Sequence, residues 1–325
     1  RVRREAAIAL GRIGLANSVP ALLAALNDSD PFVAWSVRRA LERIKNWNTE
    51  QLVDQLLSQQ GTARRSIVSL LERQWDERVV ETWCRVANRA SDRELRVIAY
   101  RCLANLYLRF PAWDGAWFGT NPLIGNRPVR SETWSVTAGQ RIRETFARNL
   151  QQRTDEERMA ILKALLPIGP AAVDLALPWA EDTVSLPVRR AAFKVLVQFD
   201  RPIALQRLAT CATTVAEPLA LRQLALTGLL ASPSETATQG LRELVQRPTT
   251  AAELLALAAP TLAARGDLPA ERLERLLTHR DPDVLVASLQ AVSQLENNND
   301  AQRWQTWVIQ HLQHASHAVR QAAIE

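Results

Sequence analysis

Several residue types are scarce in this chain of 325 residues, and their scarcity excludes some classes of protein. There are only 11 glycines, and runs rich in Val, Thr or Tyr are few beside abundant Ala and Leu, which leaves little material for β-strands. No apolar run approaches the roughly 18 residues that a membrane-spanning helix requires. The sequence therefore predicts an almost wholly helical chain with no membrane span in this segment.

Cysteine is also scarce: Cys84, Cys102 and Cys211 are far apart and lie in apolar helical contexts. No C-x-x-C, C-x-x-C-H or zinc-ligand spacing is present, so a disulfide, a haem attachment and a zinc site all lack support. We expect buried structural thiols. Nucleophile-elbow, P-loop, dinucleotide-binding and H-E-x-x-H motifs do not occur either, so the sequence indicates no catalytic residue, metal site or cofactor.

Lysine occurs only at Lys45, Lys163 and Lys194, so arginine supplies nearly all of the 40 basic side chains. The charge is uneven, since residues 1–150 carry a net charge of +8 and residues 151–325 carry −2. Such asymmetry can indicate an anionic partner for the first half. It lacks the dense basic stripe that is typical of a dedicated nucleic-acid-binding protein.

What the chain does have is one helical pattern that returns ten times: an apolar residue, usually followed by Arg, then a small residue, then Leu. The spacing is 30 to 35 residues except for one step of 62, and a fixed period of this size indicates a solenoid. Glu157 is the one polar residue at the apolar position, and Thr154 to Glu157 has the pattern of a capping box. The apolar position falls at Val2, Val33, Ala63, Leu95, Glu157, Val188, Leu221, Leu254, Val284 and Val319.

The second repeat shows the unit most clearly. Asp30 and Pro31 are suited to the start of a helix, and a break at Asn46 to Asn48 separates it from a second amphipathic helix. Two antiparallel helices follow, neither of which can bury its apolar face alone. The apolar positions are Val33, Val37, Leu41 and Ile44 in the first helix and Leu52, Val53, Leu56 and Leu57 in the second.

The segments VRREAAIALGRIG (residues 2–14) and SVPALLAAL (residues 18–26) resemble HEAT repeats of the short, PBS-lyase-like subclass. Residues 187–192 and 281–284 repeat the signature. The resemblance implies an all-α fold, a right-handed α-α superhelix of about ten helical pairs, with residues 1–325 forming a single solenoid. The pattern is already present at Val2 and still present at Val319, and neither end resembles a capping repeat, so we expect a fragment truncated at both ends.

An arginine follows the apolar position in seven of the ten repeats. These arginines could form a ladder of cations for phosphate. HEAT families instead use this arginine to pair with an acidic residue or with helix-end carbonyls of an adjacent repeat, and we favour that structural interpretation. The seven are Arg3, Arg64, Arg96, Arg158, Arg189, Arg222 and Arg320.

The double step from Leu95 to Glu157 predicts an insertion within repeat four, spanning roughly residues 110–136, before a second helix at 138–150. The insertion is rich in Trp, Gly and Pro, which favours turns. Its rings could fill gaps over the adjacent repeats, or they could form a binding platform flanked by arginines. The candidate binding residues are Trp113, Asp114, Trp117, Phe118, Asn121, Arg127, Arg130 and Trp134.

The pattern W-x-G-T-x-P, followed by Arg127-Pro128 and Trp134, resembles an insertion in HEAT regions of large exported bacterial proteins. Those proteins join a sugar-dehydrogenase-like propeller, HEAT repeats and a c-type haem domain. The resemblance implies an exported, periplasmic location; otherwise a cytoplasmic location is expected. This segment has no C-x-x-C-H, so no haem or redox chemistry is assigned to it.

The histidines His311, His314 and His317 are the only histidine cluster. His311 and His314 could share a helix face and begin a metal site. Ala315-Ser316 has the pattern of a turn before the next repeat, and the helix dipole favours a histidine in a last helical turn. We therefore interpret the cluster as a helix end rather than a metal site.

The sequence favours a non-catalytic scaffold that binds a protein partner or an adjacent domain of the same polypeptide, because solenoids form extended binding surfaces. The alternative is nucleic-acid binding by the basic half, as in HEAT-like DNA glycosylases. That function requires unpaired arginines converging on one face, among them Arg38, Arg39, Arg64, Arg65, Arg93, Arg96 and Arg101. A weaker alternative, from the name of the subclass, is a chromophore lyase.

Overall fold

The computed structural model describes residues 1–44, 48–112, 129–295 and 301–325, except the side chains of residues 62, 63 and 301. These residues form α-helices joined by short turns, and their only β-pairing is an isolated bridge between Arg109 and Glu132. The all-α class is confirmed. In this part of the chain, no helix is both long enough and apolar enough to cross a membrane.

The first compact unit comprises Arg1–Ala171. Its odd-numbered helices carry the repeated pattern and are called first helices here; the even-numbered ones are the second helices. The described helices of this unit are α1 (Val2–Ile13), α2 (Val19–Ala24), α3 (Pro31–Ile44), α4 (Thr49–Ser58), α5 (Gly61–Leu71), α6 (Glu77–Arg89), α7 (Arg93–Tyr107), α8 (Val136–Gln152) and α9 (Asp155–Ala164).

The second unit comprises Ala172–Glu325 and continues the alternation; it begins within the helix Ala171–Ala176, whose first residue is the last of the first unit. The α-helical part of α10 ends before Pro178, and a 3-10 turn, Leu177–Ala180, follows it. Pro260, by contrast, lies inside α15 without ending it. The described helices are α10 (Ala171–Ala176), α11 (Leu186–Leu196), α12 (Pro202–Thr213), α13 (Leu219–Ala231), α14 (Glu235–Gln246), α15 (Ala252–Ala264), α16 (Ala270–Leu277), α17 (Pro282–Ser293), α18 (Ala301–His311) and α19 (His317–Ile324).

Within each unit, corresponding helices of successive repeats pack on one another. Among the first helices, α1 packs on α3, α7 packs on α9, and α17 packs on both α15 and α19. Among the second helices, α6 packs on both α4 and α8, and α12 packs on α14. The repeated apolar position faces this core, although Val2 is 83% exposed. It is buried at Val33, Leu95, Glu157, Val188, Leu221, Leu254, Val284 and Val319.

The second repeat folds as its sequence predicts. The carboxylate of Asp30 accepts a hydrogen bond from the Phe32 amide at 2.9 Å at the start of α3, and Asn48 caps α4 by accepting from the Gln51 amide at 3.2 Å. Asn46, the first residue of the predicted break, lies outside the described residues. All the predicted apolar positions are buried except Leu57, which is 38% exposed.

Candidate functional site

The insertion lies where the double step predicts it, between the end of α7 at Tyr107 and the start of α8 at Val136. Its composition explains the break, because proline and glycine interrupt helices. Arg130 and Trp134 are within the described residues. The other candidate binding residues lie outside them: Trp113, Asp114, Trp117, Phe118, Asn121 and Arg127.

The two ends of the insertion are joined by the Arg109–Glu132 bridge. The Arg109 amide donates to the Glu132 carbonyl at 3.0 Å, and the Glu132 amide donates back at 3.2 Å. The Arg109 guanidinium also contacts both carboxylate oxygens of Glu132, at 3.0 and 2.7 Å. This hydrogen-bonded guanidinium lowers the pKa of Glu132 below its usual range. The entry and exit of the insertion are therefore held side by side.

Two tryptophans satisfy carbonyl groups at the end of α7. The last carbonyls of a helix have no partner within it. Trp134 donates its indole N–H to the Leu106 carbonyl at 2.7 Å, and Trp75, in the turn between α5 and α6, donates to the Leu108 carbonyl at 3.2 Å. The indole N–H of Trp134 is thus hydrogen-bonded within the fold. This agrees with the alternative in which the rings of the insertion fill gaps over the adjacent repeats.

Arg130 lies between aromatic rings at the base of the insertion. Its guanidinium carbon is 5.2 Å from the centroid of the Phe110 ring and 5.9 Å from that of Trp75, within the range of cation–π attraction. One terminal nitrogen donates to the Asn105 side chain at 2.7 Å. Burial lowers the pKa of Arg130, with a further contribution from the nearby charge of Arg73.

The charge of Arg130 has no carboxylate partner among the described residues. Its Nε is buried without a hydrogen-bond partner in this part of the chain. A guanidinium that is partly desolvated and held against two rings is suited to a planar carboxylate, because the pair forms charge-assisted hydrogen bonds. We call Arg130, Phe110, Trp75 and Asn105 the Arg130 site.

The sequence indicates Arg130 as a candidate binding residue, but it does not indicate the side chains around it. Asn105 belongs to α7 and Trp75 to an earlier turn, so the helical period places neither beside the insertion. Phe110 was assigned to the start of the insertion without a role; it is 43% exposed. A signal for Trp75 was available, because a tryptophan in a short polar turn requires a partner for its indole N–H.

A buried ion pair joins α7 to α9. The Arg96 guanidinium contacts both Glu157 carboxylate oxygens, at 2.6 and 2.8 Å, and Tyr100 donates its hydroxyl to Asn149 at 3.1 Å. The predicted capping box is wrong, because the Thr154 side chain makes no cap hydrogen bond and Glu157 points inward to Arg96. This pair explains the polar residue at the repeated apolar position.

The structural interpretation of the repeated arginines is confirmed for all seven. Arg3, Arg64, Arg96 and Arg189 pair with Asp28, Asp92, Glu157 and Glu217, each of them 25 or more residues further along the chain. The other three donate to carbonyls of the segment just before their own helix. The bonds are from Arg158 to Leu150 at 2.8 Å, from Arg222 to Ala212 at 2.9 Å and from Arg320 to His314 at 2.8 Å.

The same pairing affects the nucleic-acid alternative. Of the seven arginines that it requires, four form ion pairs: Arg39 with Glu42, Arg64 with Asp92, Arg93 with Glu156 and Arg96 with Glu157. A paired guanidinium contributes little to phosphate binding. The geometry therefore weighs against a continuous basic face.

The cysteines and histidines lie largely as expected. Cys102 and Cys211 are buried and Cys84 is half-buried, and burial raises their pKa values to about 12, about 12 and about 11. Near neutral pH these thiols are therefore protonated in the folded protein, which lowers their reactivity. His311 ends α18, as expected, and one nitrogen of its ring is 2.7 Å from the Trp307 carbonyl.

Comparisons with known proteins support the fold. Residues 1–72 match the family of HEAT repeats. No curated protein sequence matches the chain. The karyopherin Kap121p bound to the extreme C-terminus of the protein phosphatase Cdc14p shares 12% identity at a TM-score of 0.56, over 95% of this chain and 37% of the karyopherin. Kap121p bound to Ste12p gives the same identity and TM-score, over 95% and 36% of the two chains.

A third similarity is weaker. The CpcE–CpcF complex of phycocyanin lyase from Nostoc sp. PCC7120 shares 17% identity, over 85% of this chain and 94% of that chain, at a TM-score of only 0.31. Such a low score carries no argument about function. The chain spans little more than a third of the length of the karyopherins that it matches. Residues 1–72 are thus similar to HEAT repeats, and the described residues have an α-solenoid fold like that of the karyopherins.

Proposed function

We propose that this chain is a non-catalytic scaffold that binds a protein partner or an adjacent domain of its own polypeptide, with the insertion as the contact site. Solenoids present extended surfaces, and Kap121p, which has a similar fold, is seen bound to the extreme C-terminus of Cdc14p and to Ste12p. No group of described His, Cys, Asp and Glu side chains could hold a metal ion, and sequence analysis found no catalytic motif.

The observation that carries the proposal is the Arg130 guanidinium, which lies between Trp75 and Phe110 and forms no ion pair with a carboxylate of the described residues. Arginine and aromatic residues are enriched among the residues that dominate the energy of protein–protein contacts. Here the Arg109–Glu132 bridge and the indole hydrogen bonds of Trp75 and Trp134 hold them in place before binding. Such preorganisation reduces the entropy lost on association.

A site-specific photo-crosslinking experiment tests this contact site. A photoreactive amino acid replaces Val129, which is 72% exposed and adjacent to Arg130; a control replaces Val215, which is 56% exposed in the second unit. The proteins are expressed in the native cell and crosslinked products are identified by mass spectrometry. We expect a discrete protein adduct at position 129 that is absent at 215.

The variant Arg130→Ala removes the guanidinium, and Arg303→Ala is its matched control. Arg303 also lies over an aromatic ring, that of Trp304 at 5.3 Å, but in the second unit. Loss of the adduct in Arg130→Ala alone supports the contact site. Equal adducts in both variants contradict it, and an adduct with nucleic acid instead of protein would favour the alternative function.

A further inference from the structure

A second surface with unpaired arginines lies between α1 and α3, in the first two repeats. The two helices are very close here: a Cβ atom at Gly11 would be only 2.7 Å from the Ala40 Cα. Gly11, Ser36 and Ala40 therefore form a floor of small residues, and longer side chains rise on both sides. The resulting cleft has a volume of about 520 Å³.

The α3 wall of the cleft consists of side chains at helical spacing. Trp35, Arg39 and Arg43 follow one another every four residues, so they lie along one side of the helix. Trp35 is 54% exposed, and the Arg39 guanidinium lies 5.5 Å from the centroid of its ring. Phe32, one turn earlier, is 69% exposed. This wall thus combines exposed aromatic surface with positive charge.

The α1 wall contributes Ile8 and Arg12. Arg39 is already paired, because it donates to Glu42 at 2.7 Å. Arg12 and Arg43, by contrast, are exposed and form no ion pair or hydrogen bond with any described side chain. Two unpaired guanidinium groups therefore face the cleft from opposite helices, beside an exposed tryptophan.

We propose that this cleft binds an acidic segment of a protein partner. A carboxylate that enters between Arg12 and Arg43 gains charge-assisted hydrogen bonds from both helices, and planar guanidinium groups suit this bidentate geometry. An apolar or aromatic side chain next to the carboxylate packs on Trp35. The net positive charge of the first half of the chain attracts such a segment from a distance.

Nucleic acid fits the cleft less well. Its binding depends on many simultaneous phosphate contacts, whereas the cleft offers two unpaired cations. A groove of about 520 Å³ holds a few side chains of a peptide, but it does not admit a duplex. Short acidic peptides are therefore the occupant that the charges and dimensions favour.

The test uses the whole chain and a fluorescein-labelled peptide of alternating Glu and Phe, with a Gln–Phe peptide and a single-stranded oligonucleotide as comparison probes. Fluorescence anisotropy at low salt gives the affinities. We expect the Glu–Phe peptide to bind and the Gln–Phe peptide to bind at least about tenfold more weakly, because charge-assisted hydrogen bonds are lost. Added salt should weaken the binding of the acidic peptide.

Three variants locate the binding. We expect at least about tenfold weaker binding of the Glu–Phe peptide in two variants, Arg12→Ala/Arg43→Ala and Trp35→Ala. Arginine and tryptophan side chains that become buried on binding contribute most of the energy of such contacts. The charge-matched control is Arg89→Ala/Arg148→Ala, which replaces one arginine in α6 and one in α8. We expect it to have little effect on the affinity for the peptide. Circular dichroism verifies that each variant is folded.

Equal loss in the control variant would show non-specific attraction and overturn the proposal. Failure of the acidic peptide to bind, or tighter binding of the oligonucleotide that depends on Arg12 and Arg43, would overturn it too. The cleft variants leave the insertion unchanged. If the cleft does not bind the peptide but crosslinking at position 129 still gives the protein adduct, only this inference fails and the proposed function stands.

Discussion

At the residue scale, Glu157 is a buried carboxylate in the first unit. It places a carboxylate at a position that other repeats fill with an apolar residue, and the Arg96 guanidinium is its buried counter-charge. Arg96 in turn donates to the carbonyls of Ala90 and Ser91, both at 2.8 Å, which fixes the turn before α7. One ion pair thus joins α7 of repeat four, the repeat that contains the insertion, to α9 of repeat five.

The variant Glu157→Gln should therefore be strongly destabilising. It removes the negative charge and leaves the Arg96 guanidinium buried without compensation, which costs about 3 kcal/mol or more of the free energy of unfolding. Asp155→Asn is the control, because Asp155 pairs with Arg158 at the surface and such pairs contribute less than about 1 kcal/mol. Urea unfolding followed by circular dichroism measures both, and equal effects would contradict a special role for the buried pair.

The same pair predicts a pH dependence. The hydrogen bond from Arg96 holds the pKa of Glu157 below its usual range, whereas the unfolded chain has the ordinary value, about 4.3. The stabilisation is therefore complete above the ordinary pKa, and it is lost as the pH falls through the lower folded value. We expect the difference in unfolding free energy between the natural protein and Glu157→Gln to be constant near neutrality and to narrow in acid. A difference that stays constant at low pH would rule this out.

At the scale of elements, close packing of second helices depends on a glycine. A Cβ atom at Gly240 in α14 would be 2.7 Å from the Ala209 Cβ in α12, closer than real Cβ atoms approach. Gly240→Ala should separate the two helices and cost about 1–3 kcal/mol. Gly139→Ala in α8 is the matched control, because its nearest contact would be an ordinary 3.5 Å and alanine favours helix by about 1 kcal/mol. In thermal unfolding, Gly240→Ala should lower the melting temperature and Gly139→Ala should raise it. A shift of the melting temperature in the same direction in both variants would contradict the packing argument.

The accuracy with which the sequence predicts a helix differs from one element to the next. The second helix after the insertion was expected at 138–150 and occurs at Val136–Gln152, since Ser135 caps it by accepting from the Ala138 amide at 3.1 Å. Pro260 shows the limit, because α15 continues through it while packing against α13, α14 and α17, and tertiary packing overrides local preference. The surroundings of Arg130 depend on side chains from other elements, which no local pattern encodes.

At the scale of the whole molecule, a solenoid couples each repeat mainly to its neighbours, so its stability is approximately a sum of local terms. The chain divides into the units Arg1–Ala171 and Ala172–Glu325, and each contains a buried cysteine, Cys102 in the first and Cys211 in the second. Burial raises the pKa of both thiols to about 12. Each cysteine therefore reports the opening of its own unit, because neither reacts while its surroundings remain folded.

Pulsed thiol alkylation in rising urea, read by mass spectrometry at each cysteine, follows from this local coupling. Glu157→Gln should lower the urea concentration at which Cys102 becomes labelled and leave that of Cys211 nearly unchanged, because a local loss of stability stays close to its origin. Gly240→Ala should lower the urea concentration at which Cys211 becomes labelled and leave that of Cys102 nearly unchanged. If both cysteines shift together in both variants, unfolding is one cooperative event along the whole chain and the nearest-neighbour description fails. If each variant shifts only the cysteine of its own unit, the Arg96–Glu157 pair stabilises the first unit and the α12–α14 contact stabilises the second.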